Sequence, residues 1–89
     1  MNVIPMDKPT GRQLAAARTL LGLTQADVAA RSNLSVPTLK RMEASEGPVA
    51  GMQNNIDAVI RALEGAGVIF LGDGDTKEGG PGVRLWSSE

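Results

Sequence analysis

The chain has no cysteine, no histidine and no tyrosine, and only one phenylalanine and one tryptophan among its 89 residues. Without cysteine there is no disulfide staple, no thiolate metal site and no cysteine nucleophile. Without histidine the commonest general base and the commonest zinc ligand are gone. No other convergent set of polar residues takes their place, so the sequence is read as a non-enzyme with no cofactor and no metal. No apolar run approaches the roughly 20 residues that cross a bilayer, and no membrane contact is expected. Met1–Pro9 lacks a basic start followed by an apolar stretch, so no secretory leader is expected either.

What is present suits one small globular domain with a short appendage: 42% hydrophobic residues are too many for a disordered chain. The net charge of −1 conceals two halves of opposite sign. From Lys8 to Arg41 there are six basic residues and one acid, Asp27; from Met42 to Glu89 there are three basic residues and eight acids. A basic first half points to an anionic partner for one face and a separate task for the acidic remainder.

Helix signals dominate the first two thirds. Thr10 and Gln13 form a capping box, Leu14, Ala17 and Leu21 recur at helical spacing, and Gly22 offers a left-handed stop, which predicts a first helix over Gly11–Leu21. Thr24 caps a second, with Asp27 three residues on at the positive helix end and Asn33 as a left-handed exit; it spans Gln25–Ser32. Ser35 caps a third, with Pro37 in the first turn where its missing N–H costs nothing; it spans about Val36–Ser45. Pro48–Gly51 reads as a linker. Ile56, Val59, Ile60 and Leu63 then give the apolar stripe of a fourth helix, ended by Gly65 and Gly67.

After Gly67 the period changes. Val68–Leu71 is a short β-favouring run, and Val83–Trp86 is a second. Between them, Gly72–Gly82 holds five glycines and a proline, so the simplest reading is a hairpin with a long connection. Asp73-Gly74-Asp75 lacks the further ligands of a calcium loop, and Gly79-Gly80-Pro81-Gly82 lacks the lysine of a phosphate loop.

The two short helices joined at Ser32-Asn33-Leu34 fit a helix-turn-helix, with Ala29 small enough for two backbones to cross closely. The stretch Leu14-x-x-Ala17-Arg18-x-x-Leu21-Gly22-Leu23-Thr24-Gln25-x-x-Val28-Ala29, followed by Leu34-Ser35-x-x-Thr38-Leu39-x-x-Met42-Glu43, resembles the lambda-repressor-like, or XRE, helix-turn-helix family over residues 11–63. Three features depart from that pattern. Asn33 stands where the family often has glycine, Pro37 lies inside the recognition helix, and a hairpin replaces the usual fifth helix.

The resemblance implies a mainly α fold: a four-helix lambda-repressor-like domain over residues 8–66, then a short C-terminal β-hairpin or pair of strands over 67–87. It implies sequence-specific binding of double-stranded DNA by a cytoplasmic transcriptional regulator associated with a bacterial nucleoid. The third helix enters the major groove and presents Ser35, Val36, Pro37, Thr38, Lys40 and Arg41 as its exposed positions. Arg41 is suited to guanine, Val36 and Pro37 to a thymine methyl, and Lys40 and Thr38 to bases or phosphates. Gln25 at the start of the second helix is a phosphate anchor, and Gln53 or Asn54 near the start of the fourth matches another. Arg18 and Glu43 form a structural ion pair. The alternative is an antitoxin-like or adaptor protein acting mainly through another protein. Because specific sites usually take a two-fold dimer, a homodimer is expected, with Val68, Ile69, Phe70, Leu71, Leu85 and Trp86 at its interface; the alternative is a hairpin folded on its own helices, covering Phe70 and Trp86 within the chain.

Overall fold

The computed structural model describes residues 9–75 and 78–86. Four helices come first: α1 (Gly11–Leu20), α2 (Gln25–Ser32), α3 (Val36–Glu43) and α4 (Gln53–Gly65). Two strands follow, β1 (Val68–Leu71) and β2 (Gly82–Leu85), paired antiparallel with Val68 opposite Leu85 and Leu71 opposite Gly82. The mainly helical fold with a C-terminal hairpin is the one expected from the sequence.

Local chemistry sets the helix ends. Thr10 and Thr24 each close a capping box, with Gln13 and Asp27 reaching back to the cap N–H. α1 and α2 both leave through a left-handed residue, Gly22 at φ 74° and Asn33 at φ 58°. In each case the next N–H turns back to a carbonyl five residues earlier: Leu23 to Arg18 O at 3.0 Å and Leu34 to Ala29 O at 2.8 Å. Asn33 therefore does at this turn what glycine does at Gly22.

Two expectations change. The third helix stops at Glu43 rather than Ser45, because Ser45 turns away and its Oγ accepts from the N–H of Ala50 at 3.2 Å. Pro48–Gly51 is no free linker: Thr10 and Pro48 form a β-bridge, Val49 N–H donates to Pro9 O at 2.9 Å, and the Val49 side chain is buried. This bridge ties the entry of α1 to the exit of α3.

The core draws on all four helices and on β1, with Val83 and Leu85 of β2 packed against it. Leu14 and Ala17, Val28 and Ala29, Leu39 and Met42, Val49, Ile56, Val59 and Leu63, and Val68 and Phe70 form one buried cluster. β2 lies beside α1 and β1 beside α4, while α3 packs on α1 and α2, away from the hairpin. Gln13 joins the two parts. Its Oε1 accepts from Thr10 N–H, and its Nε2 donates to Leu71 O at 3.0 Å and Gly82 O at 2.9 Å.

Candidate nucleic-acid interface

α3 is buried along one side and open along the other. Leu39 and Met42 are enclosed, whereas Ser35, Pro37, Lys40 and Arg41 are exposed. Val36 and Thr38 depart from the expectation that they are exposed: both are half-buried. Val36 packs against the core cluster, so its side chain stabilises the turn as well as facing outward. Thr38 is part of a polar row at three-residue spacing. The Ser35 and Thr38 hydroxyls lie 2.9 Å apart, and Arg41 Nη2 donates to Thr38 Oγ1 at 3.3 Å. The spacing places all three on one face of the helix and lays the guanidinium along it.

The inner end of α3 is clamped by Glu43. Arg18 donates from Nε to Oε2 at 2.8 Å and from Nη2 to Oε1 at 3.2 Å, and its Nη1 donates to Leu23 O at 3.1 Å. Gln25 Nε2 donates to the same Oε1 at 3.0 Å. The Glu43 side chain is only 7% exposed, so three donors from α1 and α2 replace its water. Gln25, expected to reach a phosphate, thus commits one amide hydrogen inward, and sequence reasoning missed that contact. Asp27 lies nearby in the first turn of α2. The Thr24 N–H, and then the Thr24 hydroxyl, hold its carboxylate below the ordinary range.

A cavity of about 250 Å³ opens between α3 and the start of α4, lined by Thr38, Arg41, Met42, Ala50, Gly51, Met52 and Asn55. No side chain caps α4, and Met52 at its N-cap is exposed. Gln53, the sequence candidate here, is exposed but folds along the helix, its Nε2 donating to Asp57 Oδ1 at 2.8 Å. Asn55, not Gln53, shares the cavity with Arg41. The signal was available: Asn55 lies four residues before the buried Val59, on the same side of α4.

The expected interface residues of the hairpin divide. Val68 and Phe70 belong to the protein's own core, which corrects their assignment to an interface: both side chains point inward from β1 onto the helices. Ile69, Leu71 and Leu85 are half-buried, and Trp86 is 78% exposed. Among the described residues there is no cluster of His, Cys, Asp or Glu able to hold a metal ion, and no helix long and apolar enough to cross a membrane.

Comparison with known families agrees with this architecture. A helix-turn-helix domain model matches residues 10–68, and the chain belongs to that family of DNA-binding domains. Among curated proteins none matches it.

Proposed function

We propose that the chain is a lambda-repressor-like, XRE-type transcriptional regulator that binds double-stranded DNA sequence-specifically by laying α3 in the major groove. The observation that supports this reading best is the outward face of α3. It carries Ser35, Thr38 and Arg41 in one linked row with Lys40 beside them, on a helix whose other face is fully packed. Arg41 is the base reader, suited to guanine O6 and N7. Lys40 and Ser35 serve the flanking backbone, and Pro37 and the open part of Val36 offer apolar contact to a thymine methyl. Gln25, held by Glu43, turns its second amide hydrogen to a phosphate, and Gln53 stands at the start of α4 for another. The domain is taken as residues 8–66 with 67–87 as its appendage, working in the cytoplasm on the nucleoid.

The test is selection of bound fragments from random duplex DNA, followed by titration of the selected site across a salt series. A specific complex is expected, with affinity falling log-linearly as salt rises. Arg41→Ala should remove about 1–3 kcal/mol of discrimination at one base position. Lys40→Ala should weaken all sequences alike and reduce the salt slope by about 1. Failure to enrich any site, with no binding even at low salt, would overturn the reading and favour the protein-interaction alternative.

A further inference from the structure

Thr38 sits between the other two members of the polar row on α3. Its hydroxyl lies 2.9 Å from the Ser35 hydroxyl, one turn back, and accepts from Arg41 Nη2 at 3.3 Å, one turn on. The Thr38 N–H also donates to Ser35 Oγ at 3.3 Å, so the helix cap and the row share an atom. Two heavy atoms on its Cβ leave threonine few settings of χ1 in a helix. Thr38 is half-buried besides, whereas Arg41 is exposed. A stiff, anchored hydroxyl thus holds the end of a long side chain. Among the described residues Thr38 is the one side chain to which Arg41 donates, and no carboxylate lies within ion-pair distance of it. Arg41 has a second course open to it, because Thr38, Arg41 and Asn55 all line the cavity between α3 and the start of α4. The Thr38 bond keeps the guanidinium along α3 instead, with its remaining N–H groups free.

We propose that Thr38 is a positioning residue for base reading: it makes no base contact of its own and sets the Arg41 guanidinium for the guanine edge. This inference rests on the reading of α3 as the recognition helix. It gives Thr38 a different task from the base or phosphate contact expected from the sequence. A bidentate contact to O6 and N7 requires the guanidinium plane to be aligned with the base, and aligning it beforehand removes an ordering cost from binding. The bond to Thr38 is weak on the open surface and strengthens when the duplex displaces the water around it. Discrimination at one base pair therefore depends on the Thr38 hydroxyl. The phosphate contacts of Lys40 and the helix starts, which position without reading sequence, do not.

The experiment titrates the full chain and its variants with the selected duplex, and with the same duplex changed at the base pair where Arg41→Ala loses discrimination, each across a salt series. Thr38→Val keeps the branched shape and removes the hydroxyl. It is expected to lower discrimination at that base pair about tenfold. Affinity for the changed duplex and the salt slope should stay as they were. In the double variant with Arg41→Ala it should add nothing further. Thr38→Ser returns the hydroxyl and should recover most of the discrimination. Urea unfolding checks that the variants remain folded, and if Thr38→Val does not, Thr38→Ala takes its place against Thr38→Ser. Unchanged discrimination in the variant without the hydroxyl would overturn the proposal. So would an equal loss on both duplexes, which marks a structural or backbone role, and so would a loss at another base pair that adds to that of Arg41→Ala, which marks a direct base contact. If the unaltered chain selects no site, the recognition-helix reading fails and takes this inference with it. If a site is selected and read by Arg41 but is indifferent to the Thr38 hydroxyl, only the inference fails.

Discussion

Gly11 occupies the first position of α1, where the chain passes directly against the end of α3. A Cβ placed there would overlap the backbone carbonyls of Met42 and Ser45, neither of which is the movable end of a side chain. Gly11 N–H also donates to Gly47 O at 3.2 Å, fixing the approach from a second side. Gly11→Ala is therefore expected to destabilise the fold by about 3 kcal/mol, at the upper end of overpacking costs, as measured by urea unfolding. Substitution at Gly47, where an added Cβ meets nothing within 4 Å, is the matched control. Neither periodicity nor capping logic distinguishes these two glycines in the sequence. Only the meeting of α1 with α3, some thirty residues apart in the chain, makes one of them indispensable.

Among the elements, α3 shows how a short helix is aimed. Its two turns are too few to be stable alone, so its direction depends on what grips its ends. Ser35 holds the start, and Glu43 holds the finish through Arg18 and Gln25. Glu43→Ala should cost about 3 kcal/mol, because the guanidinium would be left without its anion in a largely enclosed place. Specific DNA affinity should fall further than Lys40→Ala alone achieves, since the whole reading face loses its bearing. Paired unfolding and binding titrations measure both effects. The Arg18–Glu43 pair was legible from the family resemblance; the inward turn of Gln25 was not, because spacing does not reveal which of two acceptors an amide meets.

α2 carries a pH-dependent cap. The Asp27 carboxylate is held below its ordinary value by the Thr24 N–H and hydroxyl. A carboxylate whose folded value is depressed stabilises fully above the unfolded value of about 3.9, and that stability is lost as pH falls through the folded value. Asp27→Asn should flatten this part of the acid limb in a stability profile run from neutral pH downward. An unchanged limb would show that the cap does not titrate with folding.

On the scale of the whole molecule, hairpin and helices are held as one body by an enclosed polar side chain as well as by apolar packing. Gln13 caps α1 with its oxygen and spans the end of the hairpin with its nitrogen. Gln13→Glu keeps the capping acceptor but sets a carboxylate against two carbonyls, and the expected loss is about 2 kcal/mol. Hydrogen exchange should rise at the β1 amides well before it rises in α4. If the two segments instead open together, the side chain is not what docks the hairpin.

The amino-acid order alone determined the helices, their caps, the left-handed turn at Asn33 and the hairpin, because each rests on contacts within a few residues. Apolar spacing already marked the inward side of α1 and α4, whereas tertiary structure alone decided which residues of the hairpin are covered. Phe70 is enclosed and Trp86 is not, although both belong to apolar β-favouring runs: Phe70 sits opposite Val83 on the side of the hairpin that packs on the helices, and Trp86 follows the end of β2 with its side chain exposed. Burial depends on what lies across from a residue, and that neighbour comes from a distant part of the chain.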